Sequence, residues 1–343
     1  MTKIKFIFFL LGIITLVSCS PKETAEEVVI KKNDSLLDKI NSPELKAINE
    51  VLLKDADNDS LYNQRARIYI SLKQFVEAMG DVTRALKIDS TNAKYYVTLA
   101  DVYFATNKTR FSKEILEKTV KKFPENTEAL LKLAELFYLV RQFENALTNI
   151  NKALKIDENM ANAYYLKGSV FKEMGDTSRA ISSLQTAIEQ DIKFFDAFLD
   201  IGILYASRKN PLAFEYYDNA LRLKPNNENV LFAKARLLQD LNKTEEAIVA
   251  YKAILLINKN NEDVLYNLGA ISFGKKKNVN EAIDYFSKAI AVNPQFIEAY
   301  FARGVCFEGL KDIDNAKADY NMCLQITNNY EPAIAALNNL AKK

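Results

Sequence analysis

Three cysteines, Cys19, Cys306 and Cys323, stand in a chain of 343 residues that contains no histidine and no tryptophan. Without His there is no Ser–His or Cys–His nucleophile pair and no imidazole ligand for a metal. Cys306 and Cys323 are too few for a disulfide scaffold; they either pair with each other or sit as small buried thiols. Carboxylates are abundant, but they fall on helical patterns as exposed faces, and pairs such as Glu245 and Glu246 lie near helix starts, where the helix dipole favours acid. The nine glycines are scattered, with no glycine-rich phosphate loop. These residues compose no catalytic constellation, no metal site and no cofactor site, so the chain reads as a non-enzyme.

The elements that position these residues are copies of one unit. In Ala161–Phe194, Tyr164, Gly168 and Phe171 share one helical face, and Ala180, Leu184 and Ala187 repeat that spacing on a second helix. Met174-Gly175-Asp176-Thr177 between them is a turn signal, with glycine where the first helix should stop. The small residues let two backbones approach and the large ones fill the remaining space. Sliding by 34 residues gives Leu130, Ala134, Phe137, Ala146, Ile150 and Ala153, and the order recurs through Tyr300, Gly304, Phe307, Ala316, Tyr320 and Cys323. Cys323 holds a slot that is Ala or Thr in six other copies, which suits a buried thiol. One hairpin cannot bury its own apolar face, so stacked copies are required. Eight copies follow: 59–92, 93–126, 127–160, 161–194, 195–227, 228–261, 262–296 and 297–330. The fifth is one residue short across Asn210-Pro211 and the seventh one residue long at Gly274-Lys275-Lys276-Lys277, both within a hairpin turn, where length costs little.

This period and this order of small and large residues resemble the tetratricopeptide repeat, over about residues 59–330. The resemblance implies an all-α, right-handed superhelical solenoid. In that family, positions two, five, nine and twelve of each first helix face the concave side. Position five here is Asn63, Val97, Leu131, Tyr165, Leu199, Phe232, Tyr266 and Phe301, apolar in seven of eight copies. Packing within the hairpin does not require this. Around them lie Arg67, Lys94, Asp101, Glu135, Asn162, Lys172, Asp196, Arg236, Gln239, Asp263 and Glu308. An apolar stripe edged with mixed charge suits an extended peptide or a helix laid along the groove; alternatively these side chains pack on neighbouring repeats. Family members that clamp a C-terminal carboxylate use Lys and Asn at positions five and nine of one copy. Here Asn63 and Arg67, then Val97 and Asp101, stand instead, so that clamp is not reproduced.

At the start, Lys3 and Lys5 precede an apolar run, Phe6–Val17, too short for a permanent membrane span. It ends in Leu16-Val17-Ser18-Cys19, which resembles the lipobox of bacterial lipoproteins, in which the cysteine becomes the acylated first residue. The other reading is a transmembrane anchor with a chance cysteine. Residue 20 is Ser rather than Asp, which by the same resemblance points to the outer membrane. Residues 1–18 are then a leader and 19–41, of mixed charge and few large apolar residues, a tether. Segment 42–58 reads as a capping half-repeat, with Ser42 as N-cap and Pro43 at the first helical position, and 331–343 as a closing helix.

The chain carries 46 Lys and Arg against 44 Asp and Glu; losing Lys3 and Lys5 with the leader leaves a neutral mature protein. Nucleic acid is therefore not the expected partner. The expected function is protein–protein interaction, as an adaptor or scaffold lipid-anchored at the cell envelope and working through its concave groove. Two alternatives stand beside it: a small-ligand or glycan-binding lipoprotein using Tyr165, Phe232 and Tyr266 as stacking platforms, and a structural assembly factor of a secretion or motility complex.

Overall fold

The computed structural model describes residues 43–341. The leader, Cys19, the tether and Ser42 lie outside the described residues. Among the described residues there are eighteen helices and no strand. A first helix, α1 (Pro43–Lys54), precedes eight hairpins: α2 (Asp59–Ser71) with α3 (Phe75–Ile88), α4 (Ala93–Ala105) with α5 (Thr109–Lys122), α6 (Thr127–Leu139) with α7 (Phe143–Ile156), and α8 (Ala161–Glu173) with α9 (Thr177–Gln190). They continue as α10 (Phe195–Ala206) with α11 (Ala213–Leu223), α12 (Glu228–Asp240) with α13 (Thr244–Ile257), α14 (Glu262–Gly274) with α15 (Val279–Val292), and α16 (Ile297–Gly309) with α17 (Ile313–Ile326), closed by α18 (Glu331–Ala341). The chain forms two compact units, one ending at Ala129 and the other beginning at Leu130.

Local chemistry starts and stops these helices. Asn58, Asn92, Asp176, Asn227, Asn261, Asn278 and Asp312 each accept a backbone N–H of the first turn, as at Leu61 N to Asn58 Oδ1, 3.1 Å. The first helix of most hairpins ends in one repeated motif. In the first turn, Gln74 N–H donates to Tyr69 O (2.8 Å) and Lys73 N–H to Ile70 O (3.0 Å), and the same pair of bonds closes α4, α6, α8, α10, α12 and α16. The motif needs one left-handed residue. Gly175 supplies it at φ +79°, but six other turns place Lys73, Asn107, Arg141, Lys209, Asn242 and Lys311 there, and the longer turn after α14, closed by other bonds, has Lys277 at positive φ as well, all seven between 51° and 63°. Glycine was thus a sufficient turn signal, not a necessary one.

Within each hairpin a small residue on the first helix admits a large one from the second. A Cβ added to Gly168 would lie 2.7 Å from Leu184 Cγ. Added to Gly202, Gly269 or Gly304, it would lie 2.5–2.7 Å from the rings of Tyr217, Phe286 and Tyr320, all three buried. The core then runs on into the next hairpin: Ala235, Ala247, Tyr251 and Ile254 of α12 and α13 form one cluster with Val264, Leu268 and Ile271 of α14. First helices also touch their successors, α10 on α12 and α14 on α16, so residues on their shared side converge between hairpins.

Bidentate pairs pin the register. Arg303 donates to Asp319 on its own second helix at 2.9 and 2.7 Å and to Ser287 on the helix before. Arg65 does the same to Asp81 and to Asn49 of α1. Cys306 and Cys323 are free and buried, which leaves the pairing reading without support; burial pushes both thiols up to about 11.

Candidate binding surface

The second unit brings five of the expected residues together, Phe232, Arg236, Gln239, Asp263 and Tyr266. Phe232 and Arg236 of α12 and Tyr266 of α14 line one pocket of about 420 Å³, completed by Gln239, Asp240, Asp263, Asn267, Phe296 and Glu298. The convergence follows from register: these are positions along α12, the start of α14, and the first residues of the hairpin that follows. Phe232, Arg236 and Asp240 also line an adjoining pocket of about 390 Å³, whose other walls include Ile203, Tyr217, Ala233 and Leu237.

The aromatic side chains at position five are half-buried, and each has a partner behind it. Ring centroids lie 5.7 Å apart for Phe232 and Tyr251, 5.5 Å for Tyr266 and Phe286, and 5.6 Å for Phe301 and Tyr320. Position five therefore does pack within its own hairpin, contrary to the expectation from spacing. A second ring comes from the last residue before the next hairpin: Phe194 on Tyr165 at 5.0 Å, Phe296 on Tyr266 at 5.3 Å, Tyr330 on Phe301 at 5.8 Å. The rings are held by neighbours, and those of Phe232 and Tyr266 keep surface in the pocket. Leu199 is half-buried in the core around Tyr217, and Leu131 is buried.

Charge at the pocket is lopsided. Asp240, Asp263 and Glu298 face Arg236 alone. Partial burial, with Glu262 and Glu298 nearby, raises the Asp263 carboxyl above its ordinary value, and burial with Glu298 raises the Tyr266 hydroxyl. Elsewhere in this unit, Lys172 of α8 donates to Asp200 of α10 at 2.9 Å. Tyr165 beside them is raised by burial and then by Asp200 and Asp196.

The first unit holds the remaining expected residues. Val97 is buried at 1% exposure, Lys94 is exposed, and Arg67 donates to Glu128 at 2.9 Å. Asn63 is buried with its Oδ1 unpartnered. Phe296, Asp240, Asn267 and Glu298 were missed by the sequence reading, although Glu298 stands at position two of its first helix, as Asp263 does in the copy before. Phe296 carried a usable signal, since aromatic residues end the fourth, seventh and eighth copies as Phe194, Phe296 and Tyr330. Asp240 and Asn267 lie next to the family's groove positions and are brought in by the neighbouring turn of helix. Among the described residues no group of three or more His, Cys, Asp or Glu side chains is arranged to hold a metal ion, and no helix is long and apolar enough to cross a membrane.

Three family models, each described as tetratricopeptide repeat, match residues 59–92, 161–191, 262–296 and 297–330, residues 97–161, and residues 204–270. The chain belongs to the tetratricopeptide repeat family. Among curated proteins it is similar to the BBSome complex member BBS4 of Bos taurus, 22% identical over 65% of this chain and 49% of that protein. It is also similar to DnaJ homolog subfamily C member 7 of Homo sapiens, 25% identical over 78% of this chain and 60% of that one. The chain thus spans about half to three fifths of these relatives' lengths. Among solved structures, the C-terminal part of a tetratricopeptide repeat-containing protein from Cytophaga hutchinsonii shares the fold. It superposes with a TM-score of 0.59 at 18% identity, covering 70% of this chain and 98% of that one.

Proposed function

We propose that this tetratricopeptide protein is a scaffold or adaptor, not an enzyme, and binds a segment of another protein on the surface formed by its first helices. The observation that carries this reading is the pocket in which Phe232, Arg236 and Tyr266 meet, floored by rings that their neighbours hold in place. Braced aromatic side chains beside unlike charge are the usual anchors of a protein interface. Membership in a named complex by one relative, the BBSome component, agrees with an assembly role. The absence of histidine from the sequence agrees with binding over catalysis. The Leu16-Val17-Ser18-Cys19 sequence supports lipid anchoring through Cys19 at a bacterial cell envelope, in the outer membrane.

Two experiments test these claims. Phe232→Ala and Tyr266→Ala should each abolish capture of the native partner from envelope extracts, measured well below the melting temperature. Because both rings also pack on a neighbour, each variant should lose about 1–3 kcal/mol of stability. Tyr285→Ala, which removes a half-buried ring that lines neither pocket, should lose comparable stability and keep capture. Equal loss of capture in all three variants would contradict the groove reading. For the anchor, Cys19→Ala should end incorporation of labelled fatty acid and release the protein from the membrane fraction; continued labelling would contradict it.

A further inference from the structure

We infer that the pocket between α12 and α14 takes a lysine or arginine side chain of the bound segment, and that the adjoining pocket takes an apolar side chain about three residues away. The inference rests on the protein-binding reading of this surface and names the chemistry of its partner. The charge argument comes first. The chain as a whole is nearly balanced, with 46 basic and 44 acidic residues, yet three carboxylates and one guanidinium line this pocket. Asp263 and Tyr266 hold their protons longer than usual, and Glu298 contributes to both shifts. Burial is the larger cause of both shifts, and Glu298 adds to each in the direction expected from the surplus of carboxylate over guanidinium in the lining.

The walls narrow the choice of cation. Phe232, Tyr266 and Phe296 present ring surface, which suits a long aliphatic stem ending in a charge and attracts that charge over a ring face. Phe232 is braced against Tyr251, and Tyr266 against Phe286 and Phe296, which holds these rings at the pocket wall. The adjoining pocket has a different character: beyond the shared Phe232, Arg236 and Asp240 its walls include Ile203, Tyr217, Ala233 and Leu237. The two pockets lie one hairpin apart. Neighbouring helices stand about 8–10 Å apart, and an extended chain advances about 3.3 Å per residue, so side chains about three residues apart reach both.

The test is selection of phage-displayed random dodecapeptides on the immobilised full chain. The expected result is enrichment of Lys or Arg about three residues from an aliphatic or aromatic residue. Affinity of the selected peptides should fall about tenfold in the double variant Asp263→Asn with Glu298→Gln. Both carboxylates are exposed, and the variant should melt with the parent. Selected peptides with no basic preference, or with acidic residues enriched, and lost with Phe232→Ala, would overturn this inference and leave the protein-binding reading standing. Basic peptides that bind the double variant as tightly as the parent would also overturn it. Recovery of no binding sequence would overturn both.

Discussion

Gly202 shows how much one position decides. The ring of Tyr217 lies where its side chain would begin, with 2.5 Å from a built Cβ to Cε1. The contact is between a backbone and a buried ring at 1% exposure, so neither partner can swing away. Gly202→Ala should therefore destabilise the second unit by about 1–3 kcal/mol, read as a lower urea midpoint. Gly80→Ala, where nothing lies within 4 Å of a built Cβ, should be neutral or stabilising through helix propensity. Equal losses at the two positions would contradict this packing. The small-to-large pairing of Gly168 with Leu184 and of Gly304 with Tyr320 was legible in the sequence because it repeats at a fixed period. The bracing of Phe232 by Tyr251 was not, because spacing along one helix says nothing about which ring on the next helix meets it.

At the scale of elements, helices and their order could be read from periodicity and caps, while the turn conformations could not. Seven hairpin turns place a residue with a side chain at positive φ, and nothing in the types Lys, Asn and Arg marks them as left-handed. The surrounding bonds enforce it: the two N–H groups at Lys73 and Gln74 close the last turn of α2 only if Lys73 adopts that conformation. Left-handed backbone costs a residue with a Cβ about 1 kcal/mol relative to glycine. Lys73→Gly should thus stabilise the first unit by about 0.5–1 kcal/mol, raising its denaturant midpoint without changing helicity. A loss of stability would mean that the greater freedom of glycine in the unfolded chain outweighs the relief.

At the scale of the whole molecule, the sequence reading reached the fold class and the family because every hairpin obeys one rule. It reached the binding surface only in part. Phe232, Arg236 and Tyr266 meet in one pocket, whereas Val97 and Leu131 at the same register are buried. Position five has the same place in each copy but not the same exposure, since exposure depends on the neighbours each copy meets. Phe296 and Asp240 enter the pocket from a loop and from the end of a helix, where no periodic rule was applied.

The central claim is that a partner protein lies against the surface where α12 and α14 meet. Site-specific photo-cross-linking tests it most directly, with a benzophenone amino acid placed at Asn267, which lines the pocket, or at Lys252, exposed on α13 and lining neither pocket. Irradiation in intact cells should give one discrete adduct from position 267 and none from position 252, and the adduct should disappear when Phe232→Ala is added. Adducts from position 252 alone, or an adduct from position 267 that survives Phe232→Ala, would contradict the account.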